Sequence, residues 1–262
     1  MILDEFSLHG KVAIITGAGR GIGRGIAAAF AEAGSDIVCW DLAMEQAEAA
    51  AAAARSMGRR ALAQVCDVTD SRQVESMVAS SIREMGHIDI LVNNAGGAAY
   101  CPALKYSDKR WEGVVRLNLA AAFFCTRAVA KHMMERRTGS IINISSGNSQ
   151  VPAPGMVAYS AAKAGINAMT KTLAWELGPH VRVNCILPGA IETEGSMPAL
   201  APVVDRLLAG TPRGRMGKPR DIALAAIFLA SSAADFITGE KLEVDGGMEF
   251  VHLDPSEVGG SR

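Results

Sequence analysis

Tyr159 and Lys163 lie four positions apart in the stretch VAYSAAKAGINAMTKTLA, residues 157–174. Positions i and i+4 share one face of a helix, so the phenol and the ammonium can lie side by side. A phenol titrates near about 10, and a neighbouring cation favours its ionised form. The same spacing also occurs where a tyrosine only packs and a lysine is solvated, so the pair alone leaves both interpretations open.

A glycine-rich turn follows the first predicted strand, in the segment TGAGRGIGRGIA, residues 16–27. Glycine allows positive φ and lets backbone N–H groups approach a pyrophosphate closely. The start of the following helix adds free donors and a favourable dipole. The spacing T-G-x-x-x-G-x-G fits, whereas G-x-G-x-x-G fails at Gly17 because Ile22 occupies its last position. The turn predicts a nucleotide phosphate site in this strand–turn–helix setting.

Asp41 ends the second predicted strand, 18 residues after Gly23. An acid at this place can accept both hydroxyls of an adenosine ribose and would repel a 2′-phosphate. The alternative is a helix cap, because the sequence DLAMEQ could begin the next helix at this aspartate. Taken together with the glycine turn, the ribose role is favoured.

Short β-branched runs alternate with helix-like segments along the whole chain, which predicts one doubly wound parallel sheet with helices on both faces. No Pro/Gly/Ser linker divides the sequence, so residues 1–262 are expected to form a single α/β domain of the Rossmann type. The Ala-rich segment 45–57 is expected to be an ordinary surface helix. The seven predicted strands are 11–16, 36–40, 61–67, 88–92, 140–145, 181–187 and 241–245.

Composition narrows the class of protein. The formal net charge of -1 argues against a nucleic-acid surface, which needs clustered excess Lys and Arg. The N-terminal sequence lacks a signal-peptide pattern, and no apolar run has the length of a membrane span. The five cysteines and five histidines are scattered without metal-ligand spacing, so neither a metal site nor disulfides are expected. The chain is expected to be cytoplasmic.

Eight motifs in a fixed order resemble the short-chain dehydrogenase/reductase family along residues 7–247. They are TGAGRGIG, the acid Asp41, CDVTD with Asp67, NNAG at 93–96, RLNLA with Asn118, INISS with Ser146, YSAAK, and then PGAIET and VDGG near the end. Each motif alone is weak, but together and in this order they form a specific pattern.

The resemblance implies an active site and a dinucleotide site. The implied catalytic residues are Asn118, Ser146, Tyr159 and Lys163. Tyr159 would exchange a proton with the substrate oxygen and Ser146, 13 residues before it, would hydrogen-bond that oxygen. Asn118 would organise a water relay, Lys163 would hold the nicotinamide ribose, and Ser145 would face the sheet. The implied cofactor contacts are Gly17, Gly19, Arg20, Gly21, Ile22, Gly23, Asp41, Asp67, Val68, Asn94, Ala95, Gly96, Tyr159, Lys163, Pro188, Gly189, Ile191 and Thr193.

Arg20 and Asp41 favour different forms of the cofactor. Arg20 could pair with the 2′-phosphate of NADP, whereas Asp41 would meet that phosphate with like charge. Leu42 supplies no compensating cation. Because Arg20 is flexible, its attraction is expected to be the smaller effect, so NAD is predicted over NADP.

The function expected from these residues is oxidation of a secondary alcohol or reduction of a ketone by a small-molecule dehydrogenase. The substrate walls are expected at 97–102, 147–155 and a variable loop at about 192–215. That loop carries apolar residues spaced as a short amphipathic lid helix, which predicts a medium-sized apolar substrate. The stretches NNAGG, PGAI and TPRGRMGKPRDIA resemble hydroxysteroid dehydrogenases and 3-oxoacyl-carrier-protein reductases, which implies a hydroxysteroid as one candidate. The alternatives are an NADPH-dependent 3-oxoacyl-carrier-protein reductase and a non-catalytic nucleotide-binding regulator.

Assembly is expected to be homotetrameric, as the resemblance implies, through helices around 103–135 and 158–178 and the last strand. The segment 119–133 has more apolar surface than one sheet face needs, which suits a helix–helix interface. The tail 248–262 ends in a polar, Gly-rich stretch, and its Phe250 and Val251 are expected to dock on a neighbouring subunit.

Overall fold

Seven short strands pair in parallel into one sheet in the computed structural model, which describes residues 1–98 and 100–248. The strands are β1 (Val12–Thr16), β2 (Asp36–Asp41), β3 (Ala61–Val65), β4 (Ile90–Asn93), β5 (Gly139–Ile144), β6 (Val181–Pro188) and β7 (Lys241–Val244). Their order across the sheet is β3-β2-β1-β4-β5-β6-β7. The predicted doubly wound parallel sheet is therefore confirmed. The predictions for Phe250 and Val251 in the tail concern residues outside the described part of the chain.

Nine α-helices connect and cover the strands in the described part of the chain. They are α1 (Gly21–Glu32), α2 (Met44–Ser56), α3 (Ser71–Met85), α4 (Asp108–Val115), α5 (Ala121–Arg136), α6 (Val157–Leu177), α7 (Met197–Leu200), α8 (Val204–Ala209) and α9 (Pro219–Ala230). Helices α1, α2 and α9 pack together on one face of the sheet, and α3 to α6 pack on the other.

The core has two layers because successive side chains of each strand point to opposite faces. Ala13 and Ile15 of β1 belong to the layer under α1, α2 and α9, while Val12 and Ile14 belong to the layer under α3 and α5. All of β1 is buried, as expected for a parallel strand that is covered on both faces.

The chain reverses its winding direction between β1 and β4, which are neighbours in the sheet. The carboxyl ends of these strands and of β5 and β6 meet at one edge, which brings Thr16, Asn93, Ile144 and Pro188 to the same side of the molecule. Open α/β sheets bind their ligands in the crevice at such a point.

Some predicted boundaries differ from the structure. Strand β3 ends at Val65, two residues before the predicted end, because Asp67 begins a turn by accepting hydrogen bonds from the N–H and hydroxyl of Thr69. The predicted lid helix is broken into α7, a 3₁₀ turn (Ala201–Val203) and α8. Pro202 lies within this 3₁₀ turn, and proline cannot donate the backbone bond that would continue a helix.

A continuous helical stretch, Asp108–Arg136, is long and apolar enough by length and composition to cross a membrane. It consists of α4, a π-helical turn (Arg116–Ala120) and α5. This is weak evidence for a membrane span, because core helices of globular proteins meet the same criterion, and Cys125, Val129 and Met133 of this stretch pack into the core. All five cysteines are free and buried.

Candidate active site

Ser146, Tyr159 and Lys163 come together at the carboxyl end of β5. Tyr159 and Lys163 lie on one face of α6, and Lys163 Nζ is 5.6 Å from the centroid of the Tyr159 ring. Ser146 follows β5 and lies close enough to the Tyr159 phenol to lower its pKa. Ser145 instead points its hydroxyl at α6, where it donates to Asn167 Oδ1 at 2.7 Å and lies 3.1 Å from the backbone oxygen of Lys163. The structure thus brings the predicted serine, tyrosine and lysine to one site.

Burial has the largest effect on the pKa values of Tyr159 and Lys163. Burial raises the pKa of Tyr159 above its ordinary value, and the interaction with Ser146 lowers it in part. Burial also lowers the pKa of Lys163 to about 8, since its side chain lies inside the protein with 4% of the residue exposed. The sequence predicts that the Lys163 ammonium favours the ionised phenol. In the structure burial has the larger and opposite effect on the pKa of Tyr159, and the ammonium donates to the Ile144 oxygen at 2.7 Å.

Asn118 lies in the π-helical turn between α4 and α5 and is almost fully buried. Its side-chain amide donates to the backbone oxygens of Gly97 and Val114, and its oxygen accepts from Gly97 N, each at 3.0 Å. A Cβ atom on Gly96 would lie 2.7 Å from Asn118 Oδ1 and 3.5 Å from Lys163 Nζ. Gly96 therefore lies between Asn118 and Lys163, and two hydrogen bonds between Gly97 and Asn118 hold the segment after β4 in place.

The glycine turn between β1 and α1 fits a dinucleotide. Gly17 and Gly21 have φ of 62° and 53°, which favours glycine. A Cβ on Gly23 would lie 2.0 Å from the backbone oxygen of Gly17, so only glycine allows this close approach. Arg20 precedes α1 without a side-chain cap, so the first N–H groups of this helix are free to meet an anion.

Asp41 ends β2 directly beside this turn. Its Oδ2 accepts from Gly19 N at 2.9 Å, and its Oδ1 accepts from Ala43 N at 3.3 Å. The N-cap residue of the next helix is Ala43, and no side chain caps this helix. The structure therefore excludes the alternative in which Asp41 is the helix cap. The carboxylate faces the turn, where it can accept the hydroxyls of a ribose. Leu42 beside it is 68% exposed, and Arg20 is exposed to solvent.

Thr16 organises the floor of this crevice, and the sequence assigned it no role. Its Oγ1 accepts hydrogen bonds from the backbone N–H groups of Asn94 and Ala95, at 3.0 and 2.9 Å. The Asn94 side chain donates in turn to the backbone oxygens of Thr16 and Gly17. The signal that could have identified Thr16 is its place as the last residue of β1, directly before the glycine turn.

Two further predicted cofactor contacts follow β3: Asp67 caps its own turn, and Val68 beside it is buried. Asn93, the last residue of β4, donates to Asn143 of β5 and to Thr126 of α5, so it links the central strands to α5.

The segment after β6 closes the other side of the crevice. Pro188 ends β6, Gly189 follows it, and Ile191 pairs with Gly217 in an isolated bridge. Thr193 lies beside Gly21, because a Cβ on that glycine would be 3.4 Å from the Thr193 methyl group. The adjacent Glu194 pairs with Arg24 of α1, so this segment is fastened to the helix of the glycine turn.

The predicted substrate walls contact each other. Cys101 N donates to the backbone oxygen of Gly155 at 2.7 Å, and the Tyr100 ring lies against the same glycine, which joins the segments 97–102 and 147–155. In the third wall, Val203 and Leu207 are buried against Met248. The other predicted lid residues are only partly buried; they are Met197, Leu200, Val204 and Leu208.

Comparison with known proteins extends these observations to the whole chain. A family model described as enoyl-(acyl carrier protein) reductase matches residues 17–249. The 3-oxoacyl-acyl-carrier-protein reductase FabG of Chlamydia trachomatis is 40% identical over 243 residues, which cover 92% of this chain and 98% of that protein.

Two solved structures are similar at the level of the fold and the sequence. A 7 alpha-hydroxysteroid dehydrogenase in complex with NADH and 7-oxo glycochenodeoxycholic acid has a TM-score of 0.91 and 36% identity, covering 94% of this chain and 97% of that one. A gluconate 5-dehydrogenase of Burkholderia cenocepacia in complex with NADP and tartrate has a TM-score of 0.90 and 39% identity, covering 94% and 98%. The two solved relatives hold different forms of the cofactor.

Proposed function

Because the chain belongs to the short-chain dehydrogenase/reductase family, whose members are oxidoreductases acting on CH–OH donors, we propose that it interconverts a secondary alcohol and a ketone with NAD. The observation that carries the proposal is the meeting of Ser146, Tyr159 and Lys163 beside a glycine turn that fits a dinucleotide. Bound nicotinamide supplies the hydride chemistry, and the protein supplies orientation and proton transfer.

Tyr159 is the proposed acid and base. In alcohol oxidation the ionised phenol takes the hydroxyl proton, and in ketone reduction the neutral phenol returns it to the carbonyl oxygen. Ser146 lies close enough to the phenol to lower its pKa, so a substrate oxygen placed between the two groups would contact both. Lys163, whose ammonium is buried below the ring, is proposed to hold the nicotinamide ribose, and Asn118 to organise the water relay.

The remaining proposed cofactor contacts surround the crevice. Those of the glycine turn are Gly17, Gly19, Arg20, Gly21, Ile22 and Gly23. Asp41 would bind the adenosine ribose, and Asp67 and Val68 would border the adenine. Asn94, Ala95 and Gly96 would border the nicotinamide half, with Pro188, Gly189, Ile191 and Thr193 on its carboxamide side. NAD is proposed over NADP because the Asp41 carboxylate is held at the turn, where a 2′-phosphate would meet like charge.

A medium-sized apolar substrate is proposed. The support is the set of partly buried apolar side chains on α7 and α8 and the similarity to a hydroxysteroid dehydrogenase. The second candidate is reduction of a 3-oxoacyl thioester with NADPH, which the 40% identity to a 3-oxoacyl-acyl-carrier-protein reductase favours.

A cytoplasmic homotetramer is proposed for the assembly. Three large apolar side chains on α4, α5 and α6 remain exposed in the single chain: Trp111, Phe123 and Trp175 are 40%, 41% and 82% exposed. Large apolar side chains left exposed on these helices suit a contact between copies of the chain. Light scattering at micromolar concentration is expected to give four times the chain mass of 27.4 kDa, and a monomer would contradict the proposal.

The function is tested by cofactor turnover with purified protein. The panel contains hydroxysteroids, simple secondary alcohols and polyols with NAD and NADP, and 3-oxoacyl thioesters with NADH and NADPH. Turnover that is lost in Tyr159→Phe and kept in Tyr106→Phe supports the proposed reaction, because both variants remove one phenol oxygen. Strict preference for small polyols would contradict the apolar substrate, and preference for 3-oxoacyl thioesters would favour the second candidate.

A further inference from the structure

Asn167 fastens α6 to the segment that carries Ser146. It lies one turn after Lys163, so both side chains project from the same face of the helix. Lys163 Nζ donates to the backbone oxygen of Ile144 at 2.7 Å. Asn167 Oδ1 accepts from the Ser145 hydroxyl at 2.7 Å, and Asn167 Nδ2 donates to the Ser149 hydroxyl at 2.8 Å. The two side chains therefore hold three points of the segment 144–149.

The contact with Ser149 continues to Ser146 itself. The Ser149 hydroxyl donates to the backbone oxygen of Ser146 at 2.6 Å, and Ser149 N donates to the same oxygen at 2.9 Å. On the other side, Ser145 N donates to the backbone oxygen of Ile186 in β6 at 2.8 Å, which fixes Ser145 to the sheet. One amide on α6 thus reaches the residue before Ser146 and, through one hydroxyl, the backbone of Ser146.

Ser146 lies between the end of β5 and a short 3₁₀ turn, outside regular secondary structure. It follows β5 and precedes a single 3₁₀ turn, Gly147–Ser149, and its own Oγ accepts from Asn148 N at 3.2 Å. A short 3₁₀ turn has poor hydrogen-bond geometry, so its position depends on contacts from outside the turn. An asparagine offers an acceptor and two donors in one rigid plane, which a serine or an aliphatic side chain of similar size cannot do.

We infer that Asn167 is a positioning residue for the reaction, which sets the place of the Ser146 hydroxyl relative to the Tyr159 phenol. The inference rests on the proposed function, in which Ser146 and Tyr159 both contact the substrate oxygen. Asn167 acts through Ser149 and Ser145 and takes no part in proton transfer. Its loss should therefore lower kcat and leave cofactor affinity unchanged, since Lys163 and the glycine turn keep their contacts.

The kinetic test compares Asn167→Ala, Ser149→Ala and the double variant with the unmodified protein. Asn167→Ala is expected to lower kcat by about 10- to 100-fold, the scale that a small misplacement of a reacting group produces. The Kd for NADH, from fluorescence titration, is expected to stay within about twofold. The double variant should be no slower than Asn167→Ala, because both changes break the same contact with Ser146. The control is Thr172→Val on the same helix, whose hydroxyl bonds only within α6.

A second measurement does not depend on activity. Amide hydrogen exchange of the segment 145–151 is expected to be faster in Asn167→Ala than in the unmodified protein and unchanged in Thr172→Val. Unchanged exchange or unchanged kcat in Asn167→Ala would overturn the inference, as would multiplicative losses in the double variant. If Ser146→Ala keeps full kcat, the proposed role of Ser146 is wrong, and the inference falls with it. In that case faster exchange in Asn167→Ala would show that the contact exists without a part in catalysis.

Discussion

Gly19 donates its backbone N–H to Oδ2 of Asp41 at 2.9 Å, so the carboxylate that ends β2 is fixed against the turn that precedes α1. Room at this point is small, because a Cβ on Gly19 would lie 2.5 Å from the Gln46 Cβ and 2.9 Å from that carboxylate oxygen. Two backbone N–H groups therefore hold the Asp41 carboxylate beside the turn. Its negative charge is a constant feature of the crevice.

Cofactor preference follows from this fixed charge. A 2′-phosphate beside Asp41 would be repelled by on the order of a few kcal/mol, which is more than about a hundredfold in affinity. The double variant Asp41→Ala, Leu42→Arg is expected to shift the ratio of kcat/KM values towards NADP(H), and Leu42→Arg alone should shift it less. Steady-state kinetics with both cofactors measures the ratio. Equal or better kcat/KM with NADP(H) in the unmodified protein would mean that the attraction of Arg20 is the larger effect.

The close approach of Gly23 to the backbone oxygen of Gly17 leads to a second prediction. An alanine there would place Cβ 2.0 Å from the Gly17 oxygen and 2.5 Å from Asn94 Nδ2, so the turn must shift. We expect Gly23→Ala to lose about 1 to 3 kcal/mol of unfolding free energy, the usual cost of overpacking, and to bind NADH at least tenfold more weakly than the unmodified protein, by about 1.4 kcal/mol. Thermal unfolding and fluorescence titration measure the two effects.

Gly113→Ala is the matched control for this substitution. Gly113 lies inside α4, and a Cβ there meets nothing within 4 Å. Alanine is the better helix former by about 1 kcal/mol, so this variant should be slightly more stable and bind NADH normally. Normal NADH binding by Gly23→Ala would contradict the phosphate role of the turn.

The sequence predicted those parts of the site that depend on local structure. The glycine turn and Asp41 lie within one strand–turn–helix unit, so their spacing along the chain is enough to place them together. Tyr159 and Lys163 are on one helix, where i and i+4 settle their shared face. The family's spacing also separated Ser146 from Ser145, and the structure gives Ser145 a hydrogen bond to α6.

The parts that the sequence did not predict depend on distant contacts. The contact from Asn167 to Ser149 joins a helix to a turn 18 positions earlier, and no local pattern encodes it. The upward direction of the Tyr159 pKa depends on how many atoms surround the ring, which a helix face alone does not give. To predict the break in the lid helix, Pro202 had to be given more weight than the apolar spacing around it.

Burial of Lys163 should make the folded protein less stable than it could be. Its pKa falls from 10.5 to about 8, which corresponds to about 3 kcal/mol, and the hydrogen bond to Ile144 is worth about 1 kcal/mol. We therefore expect Lys163→Met to be more stable than the unmodified protein by about 1 to 2 kcal/mol at pH 7, while inactive. Denaturant unfolding followed across pH measures the difference.

The stability of the folded protein should change with pH in a definite direction. Below about pH 8 the folded protein carries the full cost of the buried charge, whereas between about 8 and 10.5 the unfolded chain binds more protons than the folded one. Stability of the unmodified protein relative to Lys163→Met should therefore rise over that interval. Lys171→Met is the control, because this lysine lies on the same helix with 61% of its side chain exposed. This expectation would be contradicted if Lys163→Met were less stable than the unmodified protein at pH 7 and the difference in unfolding free energy did not change with pH.

The interaction of Ser146 with the Tyr159 phenol should appear in the pH profile of the reaction. It lowers the pKa of the phenol against the opposing effect of burial, so Ser146→Ala should leave that pKa higher. In alcohol oxidation the phenolate accepts the proton, and kcat/KM therefore rises with pH through the pKa of Tyr159. We expect Ser146→Ala to move this rise to higher pH and to lower kcat by about a hundredfold, as loss of one donor to a reacting oxygen does.

Three variants separate this effect from other titrations. Tyr159→Phe should remove the rise together with nearly all activity, and Lys163, the charged group closest to the ring on α6, should keep its own titration in Ser146→Ala. Ser56→Ala, at the end of α2, changes a hydroxyl that bonds only within its own turn and should leave the profile as it is. If the rise stays at the same pH in Ser146→Ala while kcat falls, then Ser146 contacts the substrate oxygen without tuning the phenol. If the rise moves to lower pH, the pKa of Tyr159 is set by another group, and the assignment of this interaction is wrong.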